Sequence, residues 1–139
     1  MVEFKLNIGD TQTGKSYKKD LTADESKELL GKKLGEKISG NKIGFSNYEF
    51  QITGGSDNSG FPMRPDVQGT RRNKILITTG LGNRKRRKGM RLRRTVAGNT
   101  IGNTTVQINL KVLKSGKTPL GGEPAEATPE GEAPAEKKE

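Results

Sequence analysis

Cysteine and histidine are both absent from this chain of 139 residues. Without them there is no disulfide framework and no zinc site built from Cys and His, and the commonest general base of enzymes is missing. Large apolar side chains are scarce as well: Leu, Ile, Val and Phe number 28, none of them beyond Leu120. Composition that lean lies at the edge of foldability and supports one small core. No stretch reaches the roughly 18–20 apolar residues of a membrane helix, and the opening MVEFKLNIGD lacks the apolar segment of a secretory signal. The expectation is a cytoplasmic protein that is not an enzyme and has no membrane contact, metal, cofactor or small-molecule substrate.

Acidic residues are missing where the cations are densest. Residues 1–60 hold 9 Lys/Arg against 9 Asp/Glu, but residues 61–120 hold 15 against the single Asp66. Residues 121–139 reverse the sign, with 2 against 6. Fourteen uncompensated charges repel one another unless a polyanion neutralises them, which points to nucleic acid. The extreme is Arg84–Arg94, with eight cations in eleven residues. Phosphates at backbone spacing satisfy such a run, Arg forks binding them bidentately, and counterion release supplies affinity without reading sequence. Aromatics are nearly absent from this half, Phe61 being the last in the chain. Stacking on unpaired bases is therefore a poor fit, and folded or double-helical RNA a better one.

Periodicity assigns mostly strands. Val2–Ile8 and Ser16–Leu21 alternate around a turn-rich stretch and predict a hairpin. Thr22 with Glu25 three residues on forms a capping box for a helix over Ala23–Leu30, ended by Gly31. Gly35–Ser39, Tyr48–Thr53, Lys74–Thr79 and Thr104–Leu113 read as further strands, and Gly54–Pro65 as a long loop. In the last strand Val106, Ile108, Leu110 and Val112 alternate with polar residues, so one face is buried. The expected fold is mainly β: a small antiparallel barrel of about six strands with one short helix and a basic loop. It occupies residues 1–117. Residues 118–139, rich in Pro, Ala and Glu, are expected to form a disordered acidic tail.

One motif invites a different reading. Gly9-Asp10-Thr11-Gln12-Thr13-Gly14-Lys15-Ser16 matches the phosphate-binding pattern G-x-x-x-x-G-K-[ST]. That loop must open a helix whose N-terminus faces the anion, and Ser16–Leu21 reads as a strand. No later apolar strand ends in an Asp able to hold magnesium. The expectation here is a hairpin turn and no nucleotide.

Residues 52–64, Ile-Thr-Gly-Gly-Ser-Asp-Asn-Ser-Gly-Phe-Pro-Met-Arg, prescribe a particular backbone path. Gly54 and Gly55 permit positive φ or close approach of another strand, Asp57 can bond backbone N–H groups, and Pro62 fixes φ. With Gly60 and Met63 they are read as a structural loop. The segment resembles the signature of the ribosomal protein six family of archaeal and eukaryotic small subunits: an apolar and a small residue, Gly-Gly, an Asp two positions on, then Gly-x-Pro-Met. Lys5–Ile8, Thr13-Gly14-Lys15, the basic run followed by Thr95-Val96-Ala97-Gly98 and the closing strand also sit where that family has them. The resemblance covers about residues 1–117. It implies a small β-barrel bound to ribosomal RNA near the lower body of the small subunit, with neighbouring ribosomal proteins as further partners. Eukaryotic members continue into a long basic helix ending in phosphorylated serines; the acidic segment here is instead similar to archaeal members.

The expected RNA contacts are Arg64, Arg71, Arg72, Lys74, Arg84, Lys85, Arg86, Arg87, Lys88, Arg91, Arg93, Arg94, Lys111, Lys114 and Lys117. The competing assignment is a free translation factor or RNA chaperone with a similar barrel.

Overall fold

The computed structural model of the chain describes residues 4–83, 87, 89–116 and 120. Strands β1 (Lys5–Gly9) and β2 (Ser16–Asp20) form an antiparallel hairpin with Gly9 opposite Ser16. The phosphate-loop look-alike is thus the turn of this hairpin. The Asp10 carboxylate accepts the Gln12 N–H at 2.9 Å and the Thr13 hydroxyl at 2.8 Å. These bonds, the backbone N–H of Gln12 first, hold the Asp10 carboxyl below its ordinary pKa. An ionised carboxylate in the loop takes the position and the donors that a phosphate would need.

Helix α1 spans Ala23–Leu29, one residue shorter than the sequence suggests, and Gly31 follows at φ +80°. Glu25 supplies the expected cap, accepting from the Thr22 N–H and the Thr22 hydroxyl at 3.1 Å each. Lys19 donates to its other oxygen at 3.2 Å. Burial pulls the Glu25 pKa up, but the Thr22 backbone bond and Lys19 outweigh it and the net shift is downward. A carboxyl depressed in the folded state stabilises above its unfolded pKa, and that contribution is lost as pH falls through the folded value. Glu25→Gln is expected to lower stability by about 1 kcal/mol at pH 7. Chemical denaturation of both proteins should show the gap closing below about pH 4.

Four strands complete the main sheet and its neighbour after β3 (Lys37–Ser39): β4 (Glu49–Asp57), β5 (Asn73–Ile77), β6 (Leu92–Val96) and β7 (Thr105–Lys114). The main sheet has the order β2-β1-β7-β4-β3, and β5 and β6 form a separate two-stranded ribbon. All pairings between these strands are antiparallel except β1 with β7, which run parallel. The all-antiparallel expectation is corrected there, because alternation records which face is buried and carries no information on strand direction. The hydrogen-bonded ladder ends at β2 and β3 and does not return on itself.

The core lies on one face of the five-stranded sheet. Leu6 and Ile8 of β1, Phe50 and Ile52 of β4, and Ile108, Leu110 and Val112 of β7 all point into it. Phe4, Leu29, Ile43, Met63 and Ile101 close it from the helix and loops. Phe45 and Tyr48 pack on Phe50, the Tyr48 and Phe50 rings stacked at 5.6 Å. Leu120, assigned by sequence to the tail, also packs against this cluster.

The Gly54–Pro65 loop begins later than expected, since β4 continues to Asp57. Irregular pairing between Ile52 and Gly54 lets the strand carry both glycines along β7. Neither Gly54 nor Gly55 has a positive φ. Gly55 is required by close approach, because a Cβ there would lie 2.5 Å from the Gln107 carbonyl oxygen and 2.9 Å from Met63 Sδ. Beyond Asp57, a turn at Asn58–Gly60 returns the chain to bridges between Ser56 and Pro62 and between Met63 and Ala97.

Candidate nucleic-acid interface

The last residues of the basic segment lie on the β5–β6 ribbon. β6 begins inside the run that sequence reading treats as a loop, so Arg93 and Arg94 are strand residues. Leu76 stands opposite Arg93, Lys74 opposite Thr95 and Ile75 opposite Arg94. Val96 and Ile77 turn inward and are buried, whereas Leu76 is 56% exposed. Lys74, Arg87, Arg91, Arg93 and Arg94 are all exposed. None forms an ion pair with a described residue. Arg71 is exposed and unpaired in the same way.

Two other arginines are used differently. Arg64 keeps only 15% of its side chain exposed; it donates to the Leu81 carbonyl at 3.1 Å and to Asp66 at 2.7 Å. It therefore ties the signature loop to the root of the basic segment. Asn83 reinforces that root from within, donating its side-chain amide to the Thr78 carbonyl at 2.9 Å. Arg72 donates through Nε to the buried Asp57 carboxylate and through Nη2 to Asn58 Oδ1 at 2.6 Å. Its guanidinium also sits 5.3 Å from the Phe61 ring centroid. The bond to Asp57 raises the Arg72 pKa. Asp57 is thus a clamp on Arg72 as well as a turn residue, accepting its neighbour's N–H at 2.6 Å.

Two of the remaining expected contacts lie off the ribbon. Lys111 and Lys114 belong to β7 in the other sheet, and Lys114 pairs with Glu49 at 2.8 Å. Arg84, Lys85, Arg86, Lys88 and Lys117 lie outside the described residues. Of the signature residues, Gly54, Gly55 and Asp57 belong to β4, while Gly60, Pro62 and Met63 carry the return path, Met63 buried against the core.

The signature segment leads to the same place as the comparisons with known proteins. A family model described as ribosomal protein S6e matches residues 4–123. The chain belongs to the ribosomal protein S6e family. It is similar to the small ribosomal subunit protein eS6 of Methanococcus maripaludis strain C7, with 45% identity over 121 residues, 87% of this chain and 95% of that protein. The eS6 protein of Archaeoglobus fulgidus is 43% identical over 120 residues, 86% of this chain and 93% of its own length. That of Halorubrum lacusprofundi is 39% identical over 136 residues, 98% of this chain and 96% of its own.

For this S6e chain, sequence reading misses a second set of cations in the half whose net charge is zero. Lys19, Lys27, Lys32 and Lys42 are neutralised by Glu25, Asp24, Glu36 and Glu28 around α1 and the loops that follow it. Four of the acids are therefore used on the α1 side of the domain. Lys5, Lys15, Lys18, Lys33 and Lys37 have no ion pair with any described residue; Lys33 follows α1, and the other four belong to the β1–β2 hairpin and to β3. A regional charge sum conceals this segregation; the polar positions of the alternating strands hold the signal. Among the described residues, no helix is long and apolar enough to cross a membrane, and no Asp/Glu group is arranged to hold a metal.

Proposed function

We propose that the chain is a structural constituent of the small ribosomal subunit. In this role it binds and stabilises folded ribosomal RNA through the β5–β6 ribbon and the basic run between its strands, with no catalytic step. One observation carries the reading. Lys74, Arg93 and Arg94 on the paired ribbon, and Arg87 and Arg91 in the segment between its strands, are exposed with no carboxylate among the described residues to satisfy them. A protein built for its own stability has no use for such an arrangement; a polyphosphate surface has. Arg84, Lys85, Arg86, Lys88 and Lys117 extend the same charge in sequence. Arg64 and Arg72 act as positioning residues, holding the ribbon's root and the signature turn while RNA is engaged by their neighbours.

The small-subunit names of the eS6 relatives support the assignment to the ribosome, and hence to the cytoplasm. The bridges from Pro62 to Ser56 and from Met63 to Ala97 bring the ribbon's strands toward the main sheet, so that the two sheets act together as an incompletely closed barrel. Residues 118–139 form the acidic tail in this reading, an appendage to the RNA-binding domain that is not needed for assembly.

Co-sedimentation separates an integral protein from a free factor. Tagged chain expressed in an archaeal host should remain with small subunits after a wash in about 1 M salt, where exposed charges are screened beyond ~3 Å. Contacts enclosed by folded RNA survive that screening. Quantitative release into the wash would favour a translation factor or chaperone and reject the structural role.

A further inference from the structure

The outer face of the five-stranded sheet, opposite the core, is polar across its centre, with the exposed Leu113 near the end of β7. Across β2, β1, β7 and β4 one row reads Lys18, Asn7, Asn109, Gly54. The next reads Asp20, Lys5, Gln107, Ser56, and a third crosses Gly9, Lys111, Gln51 and Lys37. The amides at the centre are fixed in position: Asn109 Oδ1 accepts from Gln107 Nε2 at 2.9 Å and from Asn7 Nδ2 at 3.4 Å. That leaves Asn109 Nδ2, Asn7 Oδ1 and Gln107 Oε1 without a partner among the described residues. Lysines surround them, and Lys18 and Lys37 stand on the two edge strands, roughly 19 Å apart by strand spacing. The acids on this face are Asp20 and Glu49, the latter already neutralised by Lys114.

Two further features indicate close approach of something flat. A groove of about 400 Å³ between the hairpin turn and the sheet is lined by Lys15, Lys111, Thr53 and Asn109. The lysine of the phosphate-loop look-alike thus faces a second lysine across a polar floor. Asp10 lines the groove too, but its carboxylate is occupied by its own turn. The second feature is Gly54. Its φ is ordinary, and a Cβ there would meet nothing nearer than Asn109 Nδ2 at 3.9 Å. Unlike Gly55, it is not required by backbone or packing; what its missing side chain leaves is a bare patch at the centre of the open face.

We infer that this face is a second RNA-binding surface, seated on the shallow minor groove of an A-form helix. Its fixed amides meet ribose 2′-hydroxyls and its lysines meet the phosphates on either side. A wide, shallow minor groove displaying 2′-hydroxyls is what a flat polar face can enter, whereas the narrow minor groove of B-form DNA does not admit it. The absence of aromatics from the face agrees with a paired rather than a stacked, single-stranded ligand. Charge complementarity selects RNA over a protein neighbour, since an acidic protein surface would leave the amide row unmatched. The inference rests on the proposed ribosomal RNA role and adds a site distinct from the ribbon.

The test compares binding of the full chain to an RNA duplex and to a DNA duplex of the same sequence. The ribbon, reading phosphates, serves both; the sheet face serves RNA alone. Gly54→Val and the pair Asn7→Ala/Gln107→Ala should each reduce the RNA-over-DNA preference about tenfold, the worth of one to two lost hydrogen bonds. Lys15→Gln/Lys18→Gln/Lys111→Gln, all at exposed positions, should weaken RNA binding and make its salt dependence shallower by about three in log–log slope. An unchanged preference in all three variants, with RNA binding intact, would overturn the second surface and leave the ribbon standing. Loss of subunit incorporation with unchanged duplex binding would assign the face to a protein neighbour and also overturn it. If Arg91→Gln/Arg93→Gln/Arg94→Gln has no effect on either duplex, the ribbon is what fails.

Discussion

Between 50 and 200 mM salt, the affinity of the chain for folded RNA is expected to fall about 10³–10⁵-fold, the range for six to ten neutralised phosphates on the duplex-DNA scale. The lower bound is set by the exposed, unpaired cations Arg71, Lys74, Arg87, Arg91, Arg93 and Arg94. The four further cations of the basic run, Arg84, Lys85, Arg86 and Lys88, set the upper one. Arg64 and Arg72 are left out, because Arg64 Nη1 and Nη2 are committed to Leu81 and Asp66 and Arg72 Nε and Nη2 to Asp57 and Asn58. Anisotropy titrations across a salt series give the slope of log affinity against log salt. Each neutralised arginine of the ribbon should reduce that slope by about 0.9, and by similar amounts on unrelated RNA helices, since phosphate contacts position without specifying sequence. A slope shallower than about −2 would contradict the electrostatic account.

Gly98→Ala is expected to lower stability by about 3 kcal/mol and the thermal midpoint by about 10 °C or more. A Cβ at residue 98 would stand 1.9 Å from the Gly69 carbonyl oxygen and 2.6 Å from its carbon. Both are backbone atoms, so relief requires the 65–70 and 97–100 segments to separate. Those segments are joined by Asn99 N–H to the Val67 carbonyl at 2.8 Å and Thr100 N–H to the Gly69 carbonyl at 3.2 Å. The Asn99 side chain adds a bond to the Pro65 carbonyl at 3.3 Å. Because these contacts anchor the end of β6, RNA affinity should fall with the midpoint. Gly54→Ala is the control, where the free space predicts a change within about 0.5 kcal/mol. Thermal unfolding followed by circular dichroism reads both, and equal midpoints for the two variants would refute the packing argument.

Some of this fold is plain in the amino-acid order because local chemistry dictates it. Thr22 and Glu25 announce the start of α1 and Gly31 its end; Val106 through Val112 announce β7. The hairpin reading of residues 9–16 holds because the residues after Lys15 alternate like a strand. What stays illegible is long-range. Nothing in Lys5–Ile8 says that its neighbour is β7 rather than a second hairpin strand, or that the two run parallel. The start of β6 hides inside the basic run because Arg93 and Arg94 are adjacent cations, and only pairing of Leu92 with Ile77 and Val96 with Asn73 makes the segment a strand. The candidate site divides in the same way. The density of arginine is visible in sequence, but the use of Arg64 and Arg72 as internal ties depends on residues 15 to 17 positions away. The Lys5, Lys15, Lys18 and Lys37 face is hidden by a regional charge of zero until the structure separates paired from unpaired lysines.

Crosslinking of the chain to RNA within purified small subunits, with crosslinked peptides identified by mass spectrometry, tests the central claim most directly. The account predicts ribosomal RNA adducts concentrated in the tryptic peptides spanning residues 72–94, with few on the α1 side, where Glu25, Glu28 and Glu36 neutralise Lys19, Lys42 and Lys32. Adducts confined to the α1 side, or a ribbon crosslinked only to neighbouring proteins, would contradict it.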